Sequence, residues 1–169
     1  MTPARQQRKL VSAVTGAEIA LGLLLLTGLP PVPAGLAATT EQIVVDANRG
    51  LALSGFDPVA YFTDAKPLMG RGDLEYAFAG ATWRFRNEGN RAAFAENPEV
   101  YLPVFGGHDP VAVARGVAAP GHPQIWLVAG ERLYLFYSAE ARKAFIAAPE
   151  ATQAAAELKW PDVKRTISP

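Results

Sequence analysis

The sequence predicts an α+β domain made of two tandem turn–β-hairpin–helix units packed as a pseudo-twofold single domain. Three observations carry that expectation. The hexapeptide 55-GFDPVA-60 returns as 107-GHDPVA-112, with five of six residues the same and fifty-two positions between them. A second block, 85-FRNEGNRAAFAENPE-99, returns as 136-FYSAEARKAFIAAPE-150, with six identities in fifteen. Between the two blocks of each copy lies a stretch of strand composition broken by an Ala-Gly turn. A period of about fifty residues present only twice fits a packed pair better than a solenoid. The domain is expected over 43–161, with repeat one at 55–101 and repeat two at 107–152.

Each element follows from local chemistry. In Asp57-Pro58 and Asp109-Pro110, the Asp accepts from free N–H groups at a helix start and the Pro is pre-set for the first helical position. These four residues are therefore read as structural caps of a short helical turn, with Val59 and Val111 pointing inward. The preceding glycine permits a tight approach. The runs 74-LEYAFAG-80 and 82-TWRFR-86 form the first expected hairpin. The run 125-IWLVAGERLYLFY-137 forms the second. It is apolar at nearly every position, which predicts a central hairpin buried on both sides. Asn87 and Ser138 then cap helices of about ten residues. Phe94 and Phe145 face the core of these helices, and Arg91 and Arg142 sit at the rim. Pro98 and Pro149 open a second helical piece in each copy.

Composition narrows the function. Half of the 169 residues are hydrophobic and 19% are charged, which suits a packed core. Formal charge is zero with no basic stripe, so nucleic acid is not an expected partner. With no cysteine, disulfides, thiolate nucleophiles and Cys-ligated metal centres are excluded. At the N-terminus, Arg5, Arg8 and Lys9 precede the apolar run 19-IALGLLLLTGL-29, three prolines and the small-residue stretch 35-GLAATT-40. This pattern predicts an export signal over 1–37, cleaved after Ala37, and hence a periplasmic location. The alternative is an N-terminal inner-membrane anchor, and membrane contact is expected only if the segment is retained. Cleavage leaves 13 basic and 15 acidic residues, a net charge of −2.

The order 57-DPV-59, 80-GATWRF-85 and 94-FAENPEVY-101 resembles the YHS domain, a small module related to the TRASH metal-binding domain. The contexts 53-LSGFDPVAYF-62 and 101-YLPVFGG-107 are similar to the exported bacterial YHS domain-containing proteins. The resemblance covers roughly Ile43 to Pro161. It implies thiolates after Asp-Pro-Val, after the Phe of the second strand, and four residues later. Here those positions hold Ala60, Arg86 and Asn90 in one copy and Ala112, Tyr137 and Ala141 in the other. Soft metals select thiolates, so the fold carries over and the metal activity does not. Where many exported relatives keep a Tyr-Cys pair, this chain has His108-Asp109.

The resulting expectation is a non-catalytic binding or accessory role with an unknown protein or small-molecule partner, no catalytic residues, no metal and no cofactor. The alternative is a small-ligand or hard-metal site between the repeats, possibly enzymatic, with His108, Asp109, Arg115 and His122 as candidate ligand-binding residues. Against it, His108 stands where the first copy has Phe56, which suits a packed aromatic substitute. Arg84, Arg86, Arg91 and Arg115 suit an anion-binding face or a solvated rim. Trp83, Trp126, Tyr134 and Tyr137 suit a pocket floor or core packing.

Overall fold

The computed structural model describes residues 43–167, so the 1–37 segment lies outside the described residues. Among these residues no helix is long and apolar enough to cross a membrane. The chain combines helices with two separate two-stranded antiparallel sheets, an α+β arrangement.

The same element order runs through both halves. The first half has a 3-10 turn (Leu53–Gly55), α1 (Ala60–Thr63), β1 (Arg71–Phe78), β2 (Ala81–Phe85), α2 (Glu88–Glu96) and α3 (Pro98–Tyr101). The second has a 3-10 turn (Val104–Gly107), α4 (Pro110–Ala114), β3 (His122–Ala129), β4 (Arg132–Phe136), α5 (Ala139–Ala147) and α6 (Pro149–Ile167). Both hairpins break register at the same place: between Arg71 and Glu75 in β1, and between His122 and Trp126 in β3. Leu51 bridges in parallel to Thr82 beside β2, and Pro103 does the same to Leu133 beside β4.

Local sequence explains the helix starts. Asn87 accepts from the Asn90 N–H and Ser138 from the Ala141 N–H, which caps α2 and α5. One phenylalanine per helix then enters the core. Phe94 is fully buried among Trp83, Phe85, Phe78 and Tyr76. Phe145 packs on Tyr134 and Phe136. Val59 is buried, whereas Val111 is only half-buried and Val113 takes the fully buried place on α4.

The second hairpin corrects one expectation. It is not a central pair of strands buried on both sides. Only β4 is. Its Leu133 and Leu135 join the first half's core, while Tyr134 and Phe136 join the second's. Strand alternation thus makes β4 a wall shared by two cores. β3 is half-buried, because Ile125 to Ala129 only edge those clusters.

The last helix continues past the end of the expected domain: α6 runs through Pro161 to Ile167. Proline interrupts one intrahelical bond. The helix persists because Ala156 and Val163, on either side of it, are buried against the second core.

Candidate functional site

The repeated hexapeptide closes each hairpin with one carboxylate. Gly55 and Gly107 adopt φ values of +86° and +91°, each at the end of three consecutive left-handed residues. That conformation favours glycine. It turns the chain so that Gly70 N–H reaches Gly55 O and Gly121 N–H reaches Gly107 O. The Asp then follows, buried in both halves, at 0% exposed for Asp57 and 1% for Asp109.

Each Asp uses its two oxygens for different elements. Asp57 Oδ1 accepts from Val59 N–H at 2.9 Å, and its Oδ2 from Arg86 N–H at 2.8 Å, just past β2. Asp109 Oδ1 accepts from Val111 N–H at 2.7 Å and Ala112 N–H at 3.3 Å, capping α4. Its Oδ2 accepts from Tyr137 N–H at 2.8 Å, just past β4. The carboxylate therefore fastens the turn to the end of the hairpin as well as capping. Around Asp57 the capped turn, Pro58 and Val59, leads directly into α1, so that Asp57 stands three residues before Ala60. Pro110 stands in the first turn of α4, and Pro58 lies in the turn before α1.

The halves differ in what else reaches that carboxylate. Asn90 Nδ2 donates to Asp57 Oδ2 at 2.7 Å. The corresponding residue in the second half is Ala141, whose side chain has no donor. There a cleft of about 400 Å³ opens, bordered by Asp109, Ala112, Arg115, Tyr137, Glu140 and Ala141.

The four ligand-binding candidates do not converge. His108 is buried, and its ring lies 5.7 Å from that of Trp160. Its Nδ1 lies 3.0 Å from Phe105 O. A carbonyl only accepts, so Nδ1 carries the proton and donates. Burial pushes the His108 pKa below the ordinary histidine value, and the Phe105 carbonyl opposes this. His108 also forms an isolated bridge with Pro120, as Phe56 does with Met69, so it occupies the matching aromatic position. His122 is exposed and borders a different depression, of about 430 Å³, with Phe56 and Tyr137. Its Nδ1 accepts from Gln124 N–H at 3.2 Å. Only Asp109 and Arg115 share a cleft. Among the described residues, no three His, Asp or Glu side chains gather to hold a metal ion.

The remaining candidates divide between core and rim. Arg84 pairs with Glu75 at 2.8 Å and Arg91 with Glu88 at 2.7 Å. Trp83 and Tyr134 are core residues, whereas Tyr137 is 69% exposed. Trp126 meets Tyr61 edge-on where the halves touch, and the Tyr61 hydroxyl donates to Pro123 O at 2.9 Å. Burial, with the Asp57 charge adding to it, raises the Tyr61 pKa. Sequence reasoning missed this cross-half bond and the second use of each Asp. Both depend on partners 62 and 28 or 29 residues away, for which a local motif carries no signal. No family model, curated protein or solved structure matches this chain.

Proposed function

We propose that the chain is an exported, YHS-like domain with a non-catalytic binding or accessory role, in which thiolate metal binding has been lost. One observation carries the reading. Of the positions where the resemblance implies thiolates, Arg86, Asn90, Ala112 and Tyr137 bond the two buried carboxylates and supply structure instead. Asn90 bonds Asp57 through its amide, and the backbones of Arg86 and Tyr137 bond the two carboxylates. Ala60, Ala112 and Ala141 offer no donor atom to an ion. Both oxygens of each carboxylate are already engaged by N–H groups. The separation of His108 from His122 weakens the competing reading of a joint site between the halves.

The test is metal retention. Purified full-length chain is exposed to copper(II) and to zinc, exchanged into metal-free buffer, and assayed by inductively coupled plasma mass spectrometry. Well under one equivalent is expected for both metals. Stoichiometric retention that disappears in His108→Ala overturns the reading. The export part is tested separately by the N-terminal mass of protein recovered from bacterial cells. A new terminus at Ala38 supports export, and an intact Met1 supports the anchored alternative.

A further inference from the structure

The difference between the two carboxylates identifies a ligand class for the binding role proposed above, on which this inference rests. Asp57 Oδ2 takes two donors, the Arg86 N–H and the Asn90 side-chain amide at 2.7 Å. Asp109 stands in the same local frame, capping a helix and receiving the N–H that follows the second strand of its hairpin. Among the described residues, its donors are the backbone N–H groups of Val111, Ala112 and Tyr137. Each carboxylate oxygen has capacity for two acceptor bonds, so Oδ2 has a place for one more.

Asp109, itself 1% exposed, borders the cleft of about 400 Å³. Val111, Ala112, Ala141 and Ala144 supply apolar lining to it. Two charged side chains stand at its rim, Arg115 and Glu140, both exposed. A buried carboxylate with only backbone partners is best complemented by a cationic donor. Arg115 complements a carboxylate, while Glu140 disfavours a simple anion.

We propose that this cleft binds a small amino-acid-like zwitterion. Its ammonium donates to Asp109 Oδ2 in the position that Asn90 Nδ2 occupies against Asp57. Its carboxylate pairs with Arg115, and its short side chain lies on Val111, Ala112 and Ala144.

The experiment titrates L-alanine into ¹⁵N-labelled full-length chain and follows backbone amide shifts. Ethylammonium and propionate serve as half-ligands. Saturable binding near ~1 mM, about −4 kcal/mol, is expected, with the largest shifts at Ala112, Tyr137 and Ala141. Each half-ligand is expected to bind at least about tenfold more weakly. Ala141→Asn supplies an internal amide to Asp109 and is expected to fold and to lose L-alanine binding. Arg115→Ala, at an exposed position, is expected to weaken L-alanine about tenfold and to leave ethylammonium unchanged. The proposal is overturned if L-alanine gives no saturable shift, if its shifts lie away from the cleft, or if folded Ala141→Asn binds it as well as the parent. The copper and zinc assay does not depend on this cleft. A negative titration with negative metal retention removes the zwitterion site alone, and positive metal retention removes the reading beneath it.

Discussion

The carboxylate of Asp57 is the most heavily committed side chain in the first half, and its removal can be worked through bond by bond. In Asp57→Ala three donors lose their acceptor: Val59 N–H, Arg86 N–H and Asn90 Nδ2. The Val59 site is buried, so its unpaired N–H costs about 1–3 kcal/mol. The other two are half-buried and reach water more easily, so each costs nearer ~1 kcal/mol. The expected total is ~3–5 kcal/mol, a large share of the 5–15 kcal/mol of a typical domain. Asn90→Ala removes one charge-assisted bond and should cost ~1–2 kcal/mol. The two changes share that bond, so the double variant should fall short of additivity by about 1–2 kcal/mol. The assay is denaturant unfolding followed by tryptophan fluorescence, since Trp83 is fully buried beside Phe94. Additivity within ~0.3 kcal/mol, or a cost below ~1 kcal/mol for Asp57→Ala, would refute the view that this carboxylate fastens the turn to the hairpin.

Two further perturbations probe the frame. A Cβ on Gly121 would stand 2.5 Å from Leu135 Cβ and 2.8 Å from Gly107 O, both fixed by the shared strand β4 and its neighbouring turn. Gly121→Ala should therefore cost ~3 kcal/mol or more, while Gly130→Ala, at φ +56° with open space around it, should cost ~1–2 kcal/mol; thermal midpoints rank the two. His108 titrates in the opposite sense to a paired histidine. Its folded pKa lies below the unfolded value of about 6.5, so the unfolded chain takes up the proton first. Its contribution is intact above about pH 6.5 and is lost as pH falls from there through the folded pKa. His108→Phe, which installs the residue type found at the matching Phe56, should flatten stability between pH 6.5 and 5 in denaturant titrations. An unchanged pH slope would count against burial as the cause.

The elements were largely legible because each rests on short-range chemistry. Asn87 and Ser138 announce helix starts, the Ala-Gly turns announce hairpins, and Phe94 and Phe145 fall on the inner face at helical spacing. The caps at Asp109 and Pro110 were readable for the same reason. What the sequence concealed is long-range. The hairpin 125–137 is apolar along both strands, yet only β4 lies between two cores; hydropathy alone cannot tell a strand buried on both faces from one that merely edges a cluster. Pro161 marks a helix end by local rules, but buried Ala156 and Val163 carry α6 past it. Gly70 and Gly121 gave no signal, since the need for a missing Cβ comes from the strand lying against them. Pairing His108 with His122 joined the two histidines by scarcity of type, and packing sends one under Trp160 and the other to the surface.

The sharing of β4 has a consequence for how the two halves depend on each other. A two-stranded hairpin is marginal by itself. The first hairpin is covered on one side by Phe94 and its aromatic neighbours, but Leu133 and Leu135 of β4 complete that core. Opening the first half therefore uncovers one face of β4, and opening the second removes the strand altogether. The Tyr61 hydroxyl on Pro123 O ties the same junction from the other direction. The halves must then unfold together. Asn90 and Ala141 differ at a matching place within this shared frame, each at the third position of its helix, where its N–H bonds the capping side chain. Asn90 adds an amide bond to Asp57, whereas Ala141 packs on the second core beside β4, so a polar side chain there would have to fit against the strand on which both cores depend.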